Sequence, residues 1–244
     1  MLMCRLALMN QQAVLLMGKQ LDTLFEHLEK ALGGDGNGIG LLYEAGETKV
    51  RKGVRFQAAQ AAGEIRFGAR LGASWALFHT RLATNACVAA RTCHPFQYGK
   101  MVLAHNGHDH LFARLGAMTG KSDSASIAET WGRGHRSVAS LWNRCGVFVG
   151  FQQGHPFVVK GLIQKDLVLA HHRETGALLF VSQLPDELRA HFDTCIDIGR
   201  LLWQGEPLIL SEIERRPPPK APQQKEQHTV SPLHVEAEAL VSVS

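Results

Sequence analysis

The sequence predicts an α+β protein, and three observations carry that prediction. Apolar residues recur at helical spacing near both ends of the first half of the chain. Short apolar runs of strand length occur throughout, and strands and helices nowhere alternate in the βαβ manner of a doubly wound parallel sheet.

Taken in order, Cys4 to Met9 is short and apolar and reads as a buried first strand. Between Gly18 and Leu32 the apolar residues Leu21, Leu24, Phe25, Leu28 and Leu32 fall at helical spacing with charges between them. Gly33-Gly34 stops that helix, because glycine takes a left-handed cap at no steric cost. Asp35-Gly36-Asn37-Gly38 is turn chemistry leading into a strand over Ile39 to Tyr43, and Thr48 to Val50 can pair back on it. The Ala- and Gln-rich stretch from Phe56 to Phe67 reads as a second helix, and the run Trp75-Ala76-Leu77-Phe78 as a strand covered on both faces. Met101 to Ala104 is another such strand. Ser122 to Trp142 reads as one or two helices broken near Gly132-Arg133-Gly134. Short strands follow at Val147 to Phe151, Phe157 to Val159, Leu167 to Ala170, Leu178 to Val181 and Cys195 to Ile198, with a last one at Pro207 to Leu210.

A chain of 244 residues can bury one sizeable core. Hydrophobic residues at 45% and charged residues at 20% place it among ordinary soluble globular proteins. A net charge of +4 without any Lys/Arg block gives no nucleic-acid footprint, and no run of about 20 apolar residues offers a membrane span. The five cysteines are odd in number and form no CxxC pair, which argues against a disulfide framework or structural zinc and for reduced thiols in a cytoplasm. The first residues lack the charged n-region of a signal peptide. After Arg216 the composition turns to Pro, Gln and Ser, so residues 1–213 are expected to form the domain and 214–244 a disordered or interaction tail.

Four segments carry chemistry: Met3-Cys4-Arg5-Leu6, Phe78-His79-Thr80-Arg81-Leu82-Ala83-Thr84, Ala104-His105-Asn106-Gly107 and Ser122-Asp123-Ser124. Singly, each has a plain structural reading. Cys4 could be a core thiol, Asn106-Gly107 a hairpin turn, Arg81 an ion-pairing arginine and Asp123 a helix cap. In this order, with His94-Pro95-Phe96 and the Asp35-Gly36 turn between them, they resemble the glutaminase domain of class II glutamine amidotransferases, which are N-terminal-nucleophile hydrolases.

The resemblance implies a four-layer αββα sandwich with Cys4 at the end of a central strand. It implies that the Cys4 thiol attacks the side-chain amide of glutamine, releasing ammonia and leaving a thioester for water to cleave. Asn106 and the Gly107 N–H would form the oxyanion hole. Arg81 would hold the substrate α-carboxylate, Asp123 the α-ammonium, and Thr84 would help close the pocket. The chemistry is coherent, since a residue supplying both a thiol and an α-amine, with reference pKa values of ~8.5 and ~7.7–8.0, can use its own amine as base. That requires Met1-Leu2-Met3 to be removed. No cofactor and no metal are expected. His105, His108 and His110 raise a metal reading, with His108 and His110 converging if they lie on a strand, but no Cys or carboxylate cluster accompanies them. His79 reads as a pocket-supporting residue and His171-His172 as exposed. The expected partners are glutamine or a related amide and a separate synthase receiving ammonia. A stand-alone γ-glutamyl amidohydrolase and a silent binding protein are the alternatives.

Overall fold

The computed structural model of the protein describes residues 4–82, 88–134, 136–161, 165–205 and 207–215. Thr84 and the segment 216–244 lie outside the described residues. The first half runs β1 (Arg5–Asn10), α1 (Gln11–Met17), α2 (Gln20–Leu32), β2 (Asn37–Tyr43), β3 (Thr48–Gly53), α3 (Ala58–Arg70), β4 (Ala73–Thr80), β5 (Phe96–Tyr98) and β6 (Met101–Asn106). The second half runs α4 (His110–Thr119), α5 (Asp123–Arg133), β7 (Val147–Gln152), β8 (His155–Lys160), β9 (Val168–His172), β10 (Ala177–Val181), α6 (Asp186–Arg189), β11 (Thr194–Trp203) and β12 (Glu214–Arg215).

The strands form one antiparallel path, β3-β2-β4-β1-β10-β9-β11-β8-β7-β6-β5, with β12 on β11. Strand β1 is central: Arg5 to Asn10 pair with Thr80 to Trp75 of β4, and Ala7 to Met9 with Val181 to Leu179 of β10. Side chains alternate across a strand, so β1 faces two cores. Ala7 and Met9 join α1, α2 and α3 in one cluster, where Leu21, Leu24, Phe25 and Leu28 are buried and Phe25 stacks on Phe78 at 3.9 Å. Leu6 and Leu8 join a second cluster with Leu77, Val102, Ala104, Val149 and Phe180. A third cluster packs α4 and α5 through Phe112, Ile127 and Trp131 against Leu103, Phe148 and Phe157. These clusters separate helices from strands, strands from strands, and strands from helices in turn.

The α+β expectation holds. The sandwich expectation is met in part, because the strands are one continuous path rather than two detached sheets. The link is β11, whose Thr194 to Asp197 pair with β9 and whose Leu201 to Trp203 pair with β8. Its register shifts between Ile198 and Arg200 on the β12 side. At that point Lys160, only 2% exposed, donates from Nζ to the carbonyls of Ile198 and Gly199. A buried ammonium on the bent strand satisfies carbonyls that regular pairing would otherwise take up.

The structure adds a helix at 11–17 that the sequence reading did not assign, and it corrects three local expectations. Helix α1 forms directly after β1 although Asn10-Gln11-Gln12 interrupts the apolar run. Asn10 caps it through the Ala13 N–H and also binds Leu178 N–H and the Gly176 carbonyl, so a polar residue starts the helix and ties it to β10. Helix α4 occupies 110–119, where the histidine reading considered a strand; Asp109 caps it by accepting from Leu111 and Phe112. No strand forms over Pro207 to Leu210; the chain there is irregular and then makes a 3-10 turn over Leu210–Glu212. Pro207 has no N–H for a ladder, and β8 and β12 already pair with the nearby end of β11. His171 and His172, expected as exposed, are half-buried in β9.

Lys160→Met leaves the Ile198 and Gly199 carbonyls without this donor and is expected to lower stability by about 1–3 kcal/mol in urea unfolding. The exposed control Lys19→Met is expected to stay within ~0.5 kcal/mol.

Candidate active site

The second cluster is apolar along most of its length and turns polar at one end. Cys4 immediately precedes β1 on the side of Leu6 and Leu8, and His79 follows Leu77 by two residues on β4. Asn106 follows Val102 and Ala104 at the same alternation on β6. The period of two therefore aims Cys4, His79 and Asn106 into the space between the sheets.

A cavity of about 290 Å³ opens at that end, and Cys4, Arg81, Gly107 and Asp123 all line it, together with His94 and His105. These residues come from positions more than a hundred apart in the chain. Asn106 is 1% exposed and stands behind this lining; neither its Nδ2 nor its Oδ1 has a hydrogen-bond partner among the described residues. Buried amides are almost always paired, so this open amide at the polar end of the layer between the sheets stands out from ordinary packing. Thr84 lies outside the described residues, and its expected role is not addressed by this geometry.

Local sequence explains each placement. Cys4 Sγ accepts from the Leu82 N–H at 3.4 Å and lies 3.6 Å from the Leu82 carbonyl, so the end of β4 grips the sulfur. Arg81 is buried, and its backbone is held by the Asp35-Gly36 turn: its N–H donates to Gly36 O at 2.9 Å, and its carbonyl accepts from Asp35 N at 3.0 Å. Gly36 adopts φ +138°, and a Cβ there would lie 2.4 Å from Cys93 Sγ. Only glycine fits that turn. Gly107 is equally constrained, since a Cβ would lie 2.5 Å from the Cys145 carbonyl and 2.6 Å from His105 Nε2.

Asp123 opens α5 after the cap residue Ser122. Its Oδ1 accepts from the Ser124 N–H at 2.8 Å and its Oδ2 from the Asp109 N–H at 2.9 Å; His108 Nδ1 lies 3.6 Å from Oδ2. Asp109 is fixed in turn by Arg144, whose Nε donates to it at 2.7 Å. That ion pair lowers the Asp109 carboxyl pKa against the burial that raises it.

The electrostatics follow from burial. Burial raises the Cys4 thiol pKa, and Asp123 adds to that, while the Leu82 N–H and the Arg81 charge pull it down. Burial lowers His79 to about 3, and pushes His94 well below and His105 below the usual histidine value. All three rings are therefore neutral near pH 7. For His105 this fixes the tautomer. Nε2 faces the Cys145 carbonyl at 2.9 Å, which can only accept, so Nε2 carries the hydrogen. Nδ1 then faces Ser124 Oγ at 3.0 Å, whose single hydrogen is shared between this nitrogen and Asp123 Oδ1 at 3.2 Å. A neutral ring stacked on Phe148 at 4.5 Å thus braces the turn that carries Asn106 and Gly107.

Sequence reasoning did not single out Leu82, Asp109 or Arg144. Asp109 had a usable signal, an N-cap residue two and three positions before Leu111 and Phe112. Leu82 acts through its backbone and had none. His108 and His110 do come together, with ring centroids 4.7 Å apart, but from the turn after β6 and the start of α4 rather than from a strand. Among the described residues no group of three His, Cys, Asp or Glu is placed to hold a metal.

No protein-family model and no curated protein matches the chain. Solved structures do match. Glutamine phosphoribosylpyrophosphate amidotransferase from B. subtilis, complexed with ADP and GMP, aligns with TM-score 0.52 at 18% identity over 81% of this chain. A structure of the allosteric regulatory enzyme of purine biosynthesis aligns with TM-score 0.54, also at 18% identity over 81%. The chain spans 45% of the length of each. A glutamine aminotransferase class-II domain protein from silicibacter pomeroyi aligns over 80% of this chain and 91% of its own at 13% identity and TM-score 0.47. At these identities the likeness is one of fold. The chain has a fold similar to that of class II glutamine amidotransferases of the N-terminal-nucleophile hydrolase type.

Proposed function

We propose that the protein is a cysteine amidohydrolase of the glutamine amidotransferase type, with Cys4 as nucleophile and glutamine, or a related amide, as substrate. The observation that carries this reading is the gathering of Cys4, Arg81, Gly107 and Asp123 on one cavity, with the open Asn106 amide one residue before Gly107. The three core clusters support reading the fold as the αββα sandwich of these hydrolases. Among the described residues Cys4, Cys93, Cys145 and Cys195 are all free thiols, which suits a reducing cytoplasm.

The roles divide by chemistry. The Arg81 guanidinium takes the substrate α-carboxylate as a bidentate pair, and Asp123 takes the α-ammonium. Those two contacts set the side-chain amide near Cys4 Sγ. The thiol proton passes to the α-amine of Cys4, the sulfur bonds to the amide carbon, and the oxyanion is held by Asn106 Nδ2 and the Gly107 N–H. The amine then returns the proton to the leaving nitrogen, ammonia departs, and water cleaves the thioester. In this reading none of the three buried histidines serves as base, since burial lowers their basicity and both nitrogens of His105 already face partners. The ammonia is passed to a separate synthase.

The direct test compares protein made to begin at Cys4, verified by intact mass, with protein that retains Met1-Leu2-Met3. Glutamine hydrolysis, or labelling by an electrophilic glutamine analogue, is expected only in the first. Equal activity in both would sink the amine-as-base mechanism, and no activity or labelling in either would sink the enzyme reading. Asn106→Ala is expected to lower kcat by roughly 10²–10³ with circular dichroism unchanged.

The pH profile has a definite sign. The amine must be neutral to accept a proton, so kcat/KM rises with pH through the α-amino range of about 7.7–8.0. The thiol, raised by burial, stays protonated through that range. A limb near pH 6 that vanishes in His105→Gln would point to a histidine base instead.

A further inference from the structure

The two faces of β1 carry different chemistry. Cys4 points between the sheets. Arg5, one residue on, points with Ala7 and Met9 toward the helices. Its side chain is 93% removed from solvent, being 7% exposed, and its Nε is sealed from solvent without a hydrogen-bond partner among the described residues. Burial lowers the Arg5 pKa against the opposing pull of Asp166 and Cys4. An arginine has five donors in a fixed fork, and a desolvated one such as this Nε is costly to leave unpaired, a cost that an anion at the guanidinium offsets.

Arg5 lines a second cavity of about 550 Å³, which His27 of α2 and Arg189 of α6 also line. His27 Nε2 is likewise sealed and without a partner among the described residues. Against these donors the same cavity presents the carboxylates Asp166, Asp186, Glu187 and Asp197. Arg189 lies 3.4 Å from Asp186 and 4.0 Å from Asp197, so its charge is already shared. The open demand for a negative group is therefore at Arg5 and His27.

A multiply charged phosphate would meet four carboxylates in this cavity and be repelled. A ligand with one carboxylate and one ammonium satisfies both ends of it. We propose that this cavity is a second ligand site, taking the carboxylate of a small zwitterion, an amino acid or short peptide, on Arg5 and His27, with its ammonium toward the acidic wall. The site is separate from the Cys4 cavity, on the opposite face of the same strand, and does not depend on the function proposed above.

The test is equilibrium dialysis of full-length Arg81→Lys protein against each free L-amino acid, a panel of dipeptides and inorganic phosphate. That background weakens the carboxylate clamp of the Cys4 cavity, because a lysine cannot replace the bidentate fork. At least one amino acid or dipeptide is expected to bind. Adding Arg5→Met is expected to weaken that binding roughly tenfold or more, the usual scale for losing a charge-assisted pair. Adding His27→Leu is expected to weaken it several-fold, and that variant carries the test should Arg5→Met fail to fold. Without ligand, Arg5→Met is expected to hold or raise the melting temperature, since it removes an open buried charge. The proposal is overturned if no amino acid or dipeptide binds, if binding is unchanged by these substitutions, or if inorganic phosphate binds more tightly than every zwitterion.

Discussion

The pairing of β1 on both of its edges is the constraint from which the rest follows. Held between β4 and β10, the strand cannot slip by one residue without exchanging its two faces. That register sends Leu6 and Leu8 into the core between the sheets and Ala7 and Met9 against the helices. It also decides which way Cys4 and Arg5 point. Ser182 reinforces it at the critical end, accepting from the Leu6 N–H through Oγ at 3.0 Å while its own N–H donates to the Leu6 carbonyl. A side chain placed at the start of this strand is positioned by a doubly paired element rather than by a loop.

The same inter-sheet layer creates the electrostatic setting. Its apolar length removes water from the polar end, and burial there raises the Cys4 thiol and lowers His79, His94 and His105. With His79, His94 and His105 uncharged, Arg81 and Asp123 are the opposed charges that act on the Cys4 thiol, one lowering and one raising its pKa. In the mechanism we propose, the desolvation that makes the thiol harder to ionise also strengthens the hydrogen bonds to a developing oxyanion, so burial raises the cost of one step and lowers that of the next.

Order beyond the first contacts comes from turns that admit only small residues. Gly36 lets Cys93 close over the loop that holds Arg81, and Gly107 and Gly146 let the His105 ring pass beneath the turn after β6. A Cβ at Gly146 would lie 2.2 Å from His105 Nε2, so the ring and the glycines occupy complementary space. Two strands from Asn106, Lys160 serves the carbonyls of Ile198 and Gly199 in β11, the strand by which β9 and β8 are joined. The Lys160 ammonium and one ring nitrogen of His105 both meet backbone carbonyls, which ties the chain path to the identity of these side chains.

Sequence by itself determined the α+β class, most of the strands and helix α2, because period-two and helical patterns are local properties of the chain. It also brought out Cys4, Arg81, Asn106, Gly107 and Asp123 as a set through their motifs and order. It did not reveal helix α4, whose exposed Leu111, Leu115 and Met118 and buried Phe112 break the usual pattern of an amphipathic helix. Nor did it reveal the run of β11 through both halves of the sheet, since a register shift depends on the partners and not on the strand. The Leu82 grip on the sulfur, the Asp109–Arg144 brace and the open guanidinium of Arg5 were settled only in three dimensions. Each depends on residues distant in the chain or on a backbone group, and neither leaves a periodic trace in the sequence.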